Sequence, residues 1–207
     1  MKNRFLSLAT SGVIFLSASV FSQVNYRPGV FVGLGIYNEK VTALGTALSA
    51  DPKTGVSGGA VFEIFLKNMV SIEPGIVYSQ RGAYLDIGGG VTEKDNLSYL
   101  TIPVNAKLKI PATPVICPYI LAGLNAGILM SATADSSNQS TDAKNAYNSI
   151  DFGLDFGAGF ELNLAKIVPY IEYVYYEGLA NTWKDAPKGV SAKNHGSEIK
   201  AGLKYKL

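Results

Sequence analysis

The stretch SIDFGLDFGAGFELNL, residues 149–164, alternates without a break between apolar side chains and polar or small ones. Apolar residues occupy the even positions from Ile150 to Leu164, and Asp, Gly, Glu and Asn occupy the odd positions between them. Because successive side chains of a β-strand point to opposite faces, this period of two predicts a strand with one apolar and one polar face. The stretch is also much longer than the roughly five or six residues of a typical strand in a soluble protein.

Seven other segments have strand character, and the chain shows no convincing amphipathic helix. The eight predicted strands are 29–37, 57–66, 69–79, 97–110, 117–130, 149–164, 168–178 and 196–207. The connections alternate between long polar ones, at 38–56, 80–96, 131–148 and 179–195, and short ones, at 67–68, 111–116 and 165–167. This alternation is typical of up-and-down barrels of the bacterial outer membrane, which have long extracellular loops and short periplasmic turns.

The length of the predicted strands also favours a membrane barrel. A tilted strand needs roughly nine to eleven residues to cross a bilayer, and most of the segments reach that length. In lipid every backbone donor and acceptor must be paired within the protein, so an all-strand membrane protein has to close its sheet. The sequence therefore predicts an all-β fold, an eight-stranded antiparallel up-and-down transmembrane β-barrel.

Residues 1–22 have the features of a secretory signal peptide. Lys2 and Arg4 precede a short segment of apolar and small residues that ends at Ser22, where we predict cleavage. The alternative, a transmembrane anchor, is disfavoured because Ser and Gly interrupt the segment. The expected organisation is a signal peptide, 1–22, followed by a barrel domain, 23–207, in the outer membrane.

Composition excludes several classes of function. Without Lys2 and Arg4, 16 of the 18 basic residues remain, equal in number to the 16 acidic residues, and no basic cluster stands out. A neutral chain of this kind argues against nucleic acid as a partner. The chain has one histidine and no calcium-loop spacing of carboxylates, so we predict neither a metal site nor another cofactor. Cys117 is the single cysteine and has no partner for an internal disulfide.

The polar face of the predicted strands carries positive and negative charges in comparable numbers. The interior of an eight-stranded barrel is just wide enough for side chains to fill, and buried charges persist only when they are paired. We therefore predict a structural ionic core rather than an open channel, with glycines leaving room for the long Lys and Glu side chains, and with no catalytic residue. The predicted core residues are Glu63, Glu73, Lys107, Lys109, Asp151, Asp155, Glu161, Glu172, Glu198, Lys200 and Lys204.

The opposite face of each predicted strand carries apolar side chains suited to contact with lipid. We expect aromatic residues of this face to lie at the two membrane interfaces, namely Tyr78, Phe152, Tyr173, Tyr175 and Tyr205. Membrane lipid and lipopolysaccharide are the expected partners of this surface, around a monomeric barrel. Pro74 and Pro103 fall inside predicted strands, where proline cannot donate to the ladder, and they predict bulges or a slip in register.

Five motifs, in order, resemble consecutive strands of the small outer-membrane β-barrel family of Bacteroidetes described as porin-like or PorT-like. They are YLTIPVNAKLKI (99–110), PYILAGLNAGIL (118–129), DFGLDFGAGFEL (151–162), YIEYVYYEGLANTW (170–183) and AGLKYKL (201–207). Ile102-Pro103 matches a recurrent proline of that family. The sequence departs from the family at Leu207, where an aromatic residue is common, and at Glu172, where an Arg often precedes the tyrosines. The resemblance implies a barrel domain without assigning an activity.

Three functions remain open on the sequence. The first is a non-enzymatic outer-membrane barrel whose polar loops bind partners or ligands. The second, implied by the resemblance, is a component of a protein-secretion apparatus with envelope protein partners. The third is a lipid A deacylase that uses His195 and Ser197, which lie two residues apart on one face of the last strand. Such an enzyme needs an orienting acid further along the chain, but no acidic residue follows Glu198, which disfavours the third function.

Overall fold

The computed structural model describes residues 25–43, 45–86, 92–136 and 139–207, so the predicted signal peptide lies outside the described residues. Within them the chain forms β-strands and one short 3-10 helix, Lys144–Ala146. The strands are β1 (Tyr26–Ala43), β2 (Thr46–Ser49), β3 (Asp51–Lys67), β4 (Val70–Arg81), β5 (Ala83–Asp86), β6 (Thr92–Lys109), β7 (Ile116–Ser136), β8 (Gln139–Asp142), β9 (Ile150–Leu162), β10 (Ile167–Gly178) and β11 (Val190–Tyr205). No helix in this part of the chain is both long and apolar enough to cross a membrane.

Eight of the strands close into one antiparallel ring. Its order is β1, β3, β4, β6, β7, β9, β10, β11 and back to β1, and every neighbouring pair is antiparallel. The ring confirms the predicted all-β barrel. The remaining strands, β2, β5 and β8, have four residues each and extend hairpins at one end of the barrel. We call this the hairpin end, and we call the opposite end, with the connections at 68–69, 110–115 and 163–166, the turn end.

The segments predicted as long loops contain more sheet than the sequence pattern indicated. Strand β6 begins at Thr92 and β7 continues to Ser136, where its last residues pair with β8. The prediction missed these extensions because residues 92–96 and 131–136 are polar or small at both odd and even positions, so they show no alternation of apolar and polar residues.

The strand prolines interrupt the ladder but do not change its register, so the predicted bulges or slip at these positions were wrong. Between β4 and β6 the paired positions pass from Pro74 and Val104 to Val77 and Thr101 with a constant offset. The neighbouring hydrogen bonds hold the register where proline cannot donate. Register shifts occur instead between Ser98 and Tyr99 and between Phe65 and Lys67.

An apolar belt surrounds the outside of the ring. On β1 it consists of Val30, Val32, Leu34 and Ile36, each at least 59 % exposed. The predicted interfacial residues Tyr78, Phe152, Tyr173 and Tyr205 are also exposed on this wall, and Tyr175 is half-buried. Such a wall is unfavourable in water and favourable in lipid.

Candidate functional site

Side chains of alternating charge fill the lumen in one continuous chain of ion pairs. Each neighbour in this ion-pair chain lies within 3.8 Å, nitrogen to oxygen, of the next. Its members, starting at the turn end, are Arg27, Glu161, Lys109, Glu63, Lys204, Glu73, Lys107, Glu172, Lys200 and Glu198. The strands bring these residues together because all of them follow the inward parity around the closed ring.

Lys107 illustrates how the lumen compensates a buried charge. Its Nζ lies 2.7 Å from Glu73 Oε1 and 2.9 Å from Glu172 Oε2, and its side chain is fully buried. The Tyr119 ring lies 4.5 Å from the same Nζ, a cation–π contact. Removing a charge from water costs several kcal/mol per ion, which is offset only when each charge has such partners.

Hydroxyl groups satisfy remaining carboxylate oxygens along the ion-pair chain. Ser71 donates to Glu63 at 2.7 Å, and Tyr119 donates to Glu172 at 2.8 Å. Tyr37 and Ser57 both donate to Oε2 of Glu198, at 2.9 and 2.7 Å. The chain is therefore hydrogen-bonded as well as charge-paired, which fixes the positions of its side chains.

Glycines provide the space that these long side chains occupy. A Cβ atom at Gly159 would stand 2.8 Å from Glu172 Cβ and 2.8 Å from Tyr119 Cζ, and one at Gly33 would stand 3.1 Å from Glu198 Oε2. Any larger residue at Gly159 would displace a member of the ion-pair chain.

A second group of polar residues lies nearer the hairpin end. Arg81 Nη1 donates to Asp151 Oδ2 at 2.9 Å, and the Arg81 guanidinium carbon stands 3.9 Å from the centre of the Tyr176 ring. Asp155 is buried without an ion pair in the described residues, and it accepts hydrogen bonds from Asn125 at 3.2 and 3.0 Å. Asp155 thus differs from the other acidic residues of the predicted core in having an amide rather than a cation as its partner.

Aromatic residues form a buried cluster at the hairpin end of the barrel. Tyr147, which precedes β9, packs in a buried cluster with Leu97, Tyr99 and Leu129, and Trp183 packs against this cluster. Tyr147 and Trp183 are bridge partners, which joins the β8–β9 connection to the β10–β11 connection. We call this group of residues the aromatic cap.

Two buried carboxyl groups lie at the aromatic cap. Tyr147 Oη donates to Asp95 Oδ2 at 2.5 Å, whereas neither oxygen of Glu39 has a hydrogen-bond partner in the described residues. Burial, with a smaller contribution from the charge of Asp95, raises the pKa of Glu39 to about 8. Burial likewise raises the pKa of Asp95 to about 6. Glu39 lies beyond the belt residue Ile36 of β1 and Asp95 beyond the exposed Leu100 of β6, and desolvation favours the neutral forms of both carboxyl groups.

The sequence prediction missed Arg27 and Arg81. Arg27 precedes the predicted strand 29–37, and Arg81 follows the predicted strand 69–79. The inward parity runs unbroken from Glu73 to Arg81, so extending that strand by two residues would have identified Arg81.

No hydrogen bond joins His195 to Ser197 in the described residues. Ser197 Oγ lies 2.6 Å from Tyr173 Oη, and Nδ1 of His195 has no hydrogen-bond partner in the described residues. Glu177 of β10 pairs with His195 in the ladder, an acidic neighbour that the order of residues along the chain did not indicate. Its carboxylate, however, accepts a hydrogen bond from Tyr175. The recorded hydrogen bonds thus leave the three residues unconnected.

A groove of about 840 Å³ lies on the outer wall near the turn end, away from the ion-pair chain. It is lined by belt residues such as Val30, Phe62 and Ile76, with the small residue Ala60 between them. Its apolar lining is continuous with the lipid-facing surface.

The sequence pattern of the outer membrane protein β-barrel domain family matches residues 21–184. The chain belongs to this outer membrane β-barrel family. The family and the barrel fold together assign the protein to the bacterial outer membrane. No curated relative matches the sequence.

Solved structures of other outer-membrane barrels are similar to this family member at low sequence identity. OprG of Pseudomonas aeruginosa is 14% identical, with a TM-score of 0.55 and coverage of 89% of this chain and 95% of that chain. Neisserial surface protein A is 14% identical, with a TM-score of 0.49 and coverage of 86% and 97%. Ail of Yersinia pestis, in complex with a heparin analogue, is 15% identical, with a TM-score of 0.43 and coverage of 87% and 99%. The likeness to OprG shows a common fold.

Proposed function

We propose that the protein is a non-enzymatic, non-conducting outer-membrane barrel whose hairpin end faces the outside of the cell and binds partners or ligands. The observation that carries this proposal is the ion-pair chain, which runs through the lumen from Arg27 to Glu198. The aromatic cap adds a second obstruction above it. An ion that entered would have to displace charges that already neutralise one another, which is unfavourable in a narrow interior.

Planar bilayers test the non-conducting barrel. The wild-type protein should show no steady conductance after reconstitution. A charge-neutral variant that empties the centre of the ion-pair chain, Lys107→Ala with Lys204→Ala, Glu73→Ala and Glu172→Ala, should show discrete openings. The matched control, Lys94→Ala with Asp135→Ala, removes a pair of opposite charges from the outer wall and should stay silent. Stable large openings of the wild-type protein would contradict the proposal.

The polar surface of the hairpin end supports a binding role. All four residues of β8 are exposed, and β8 extends the β7 hairpin beyond the ring. Replacing residues 133–142 by a short turn should leave the barrel folded, as judged by a gel shift on boiling, and should abolish cross-linking to its envelope partner in cells. Undiminished cross-linking of the shortened protein would count against this surface.

The ordered motifs from residue 99 to residue 207 also lead us to propose an affiliation with the PorT-like group of Bacteroidetes, with envelope or secretion proteins as partners. Deletion of the protein should then impair secretion, and the variant with the shortened β7–β8 hairpin should fail to restore it. Normal secretion in the deletion strain would exclude this role.

A further inference from the structure

Two lysines oppose each other on the outer wall of the barrel at the hairpin end. Lys40 of β1 and Lys193 of β11 are direct partners in the ladder. They follow the same outward parity as the belt residues Ile36 and Ile199, which are 59% and 56% exposed. Like charges directly opposite each other destabilise a sheet, so the arrangement is unfavourable unless an anion lies between the two ammonium groups.

The protein itself supplies no such anion in the described residues. The ion pairs found there include neither lysine. The acid on this part of the wall, Glu177, pairs in the ladder with His195, nearer the belt, and accepts a hydrogen bond from Tyr175. The two lysines therefore remain uncompensated.

The opposite side of the barrel shows the usual arrangement of charge. There Lys94 of β6 pairs in the ladder with Asp135 of β7, and Asn96 donates to Asp135 at 2.8 Å. Opposite charges at facing positions stabilise a sheet. The lysine pair on β1 and β11 is thus a departure from the pattern seen elsewhere at the hairpin end.

The backbone of the lysine pair lies just above the lipid headgroups, within reach of the lysine side chains. Lys40 follows Ile36, the last belt residue of β1, by roughly 13 Å along the strand, or roughly 10 Å in height for a tilted strand. Tyr175, at the interface end of the belt, pairs with Ser197, which in turn pairs with Ile36. Headgroups extend roughly 5–8 Å beyond the hydrocarbon, and lysine side chains reach toward such an interface.

We propose that Lys40 and Lys193 bind a phosphate group of a glycolipid headgroup in the outer leaflet. His195, two residues nearer the belt than Lys193 on the same face, offers a further hydrogen-bond donor to the same headgroup, whereas the side-chain amide of its ladder partner Asn38 already donates to the Ala50 oxygen. A phosphate between two ammonium groups forms charge-assisted hydrogen bonds and removes their mutual repulsion. This inference rests on the proposed orientation, in which the hairpin end faces outward.

Native mass spectrometry of the full-length folded protein in neutral detergent tests the site, with phosphorylated lipid A as the probe. The affinity should fall about fivefold for Lys40→Gln or Lys193→Gln and about twenty-five-fold for the double variant. Lys94→Gln, which removes the same charge from the opposite wall, should bind like the wild type. Lipid A without phosphates should bind wild type and double variant equally weakly. Without lipid, the double variant should melt no lower than the wild type, because repulsion has been removed.

Several results would overturn the inference. They are equal binding of lipid A with and without its phosphates, unchanged binding by the double variant, and an equal loss in Lys94→Gln. Free inorganic phosphate that competes at the concentration of the lipid would indicate a simple anion site and would also overturn it. Because detergent exposes both ends of the barrel, an error in the proposed orientation would not alter this measurement and would appear instead in surface labelling of cells.

Discussion

At the scale of single residues, the buried charge of Lys107 is stabilised by Glu73 and Glu172, and it stabilises both carboxylates in turn. Lys107→Met leaves Glu73 and Glu172 close together without the cation between them. Breaking a buried ion pair from one side typically costs about 3–5 kcal/mol. We expect a loss of that size in the free energy of unfolding, measured by urea titration in detergent.

A matched substitution separates burial from charge in this experiment. Lys94→Met removes a cation from the outer wall and should cost less than about 1 kcal/mol, as for exposed ion pairs. Adding Glu172→Gln to Lys107→Met should restore much of the lost stability, since the ion-pair chain then again holds equal numbers of cations and carboxylates. A loss in Lys107→Met no larger than that in Lys94→Met would mean that the ion-pair chain does not hold the barrel closed.

Glu39 gives the hairpin end a dependence on pH. Its pKa is raised from the ordinary value of 4.5 to about 8 by burial, so folding favours the protonated form. The resulting stability is complete below pH 4.5, declines as the pH rises toward 8, and is absent at higher pH. Glu39→Gln should remove this decline and raise the free energy of unfolding by at most about 5 kcal/mol above pH 8.

The fluorescence of Trp183 can follow this transition, because it is the single tryptophan and packs against the aromatic cap. Asp95 should leave a smaller decline of the same sign between pH 3.8 and about 6 in the Glu39→Gln protein. Glu177→Gln, a neutralisation on the outer wall, should leave the wild-type pH profile unchanged. An identical pH profile in Glu39→Gln and wild type would refute the role of Glu39.

At the scale of elements, alternation predicted the strands well where lipid contacts one face and the lumen contacts the other. This period of two identified all eight strands of the ring, including 149–164, observed as β9. It could not identify strand ends such as Thr92 of β6, because residues 92–96 are polar on both faces of the strand and show no alternation.

The sequence predicted that charged side chains inside the lumen form ion pairs, but it could not predict which residues pair with each other. Parity indicated which side chains point inward, but the choice of partner depends on the stagger of a closed barrel. Lys109 of β6, for example, binds Glu63 of β3 and Glu161 of β9. Neither strand is a neighbour of β6 in the ring, since β6 pairs with β4 and β7. The sequence alone does not provide that stagger.

Two connections also stabilise each other at the hairpin end. Asn148, before β9, donates to the backbone oxygens of Asn181 and Trp183 at 2.9 and 3.1 Å. Trp183→Ala should lower the local stability of the aromatic cap by about 2 kcal/mol, less than for a fully buried tryptophan. Limited proteolysis should then cut the segment 179–189 faster, while the membrane-embedded ring still shows its gel shift on boiling.

The equivalent truncation at the turn end is the control for that experiment. Met69→Ala removes an exposed apolar side chain beyond the ring and should leave cleavage in 179–189 at the wild-type rate. Protection of this segment in Trp183→Ala would mean that the aromatic cap does not hold the two connections together.

At the scale of the whole molecule, the two ends of the ring differ in their connections. The hairpin end carries β2, β5 and β8, whereas the turn end carries three short connections. Barrels of bacterial outer membranes direct their longer connections outward, which is the basis of the proposed orientation. The lipid-binding role of Lys40 and Lys193 requires the same orientation, since phosphorylated glycolipid lies in the outer leaflet.

Cysteine labelling of intact cells tests this orientation directly. The native Cys117 is buried and gives a low background. A membrane-impermeant maleimide should label Lys184→Cys, in the β10–β11 connection, on intact cells, because that residue is exposed at the hairpin end. It should label Asn68→Cys, in the connection between β3 and β4, only after the outer membrane has been permeabilised. The reverse labelling pattern would mean that the hairpin end faces the periplasm. The lysine pair would then face the inner leaflet, even if the lysines bind phosphate in detergent.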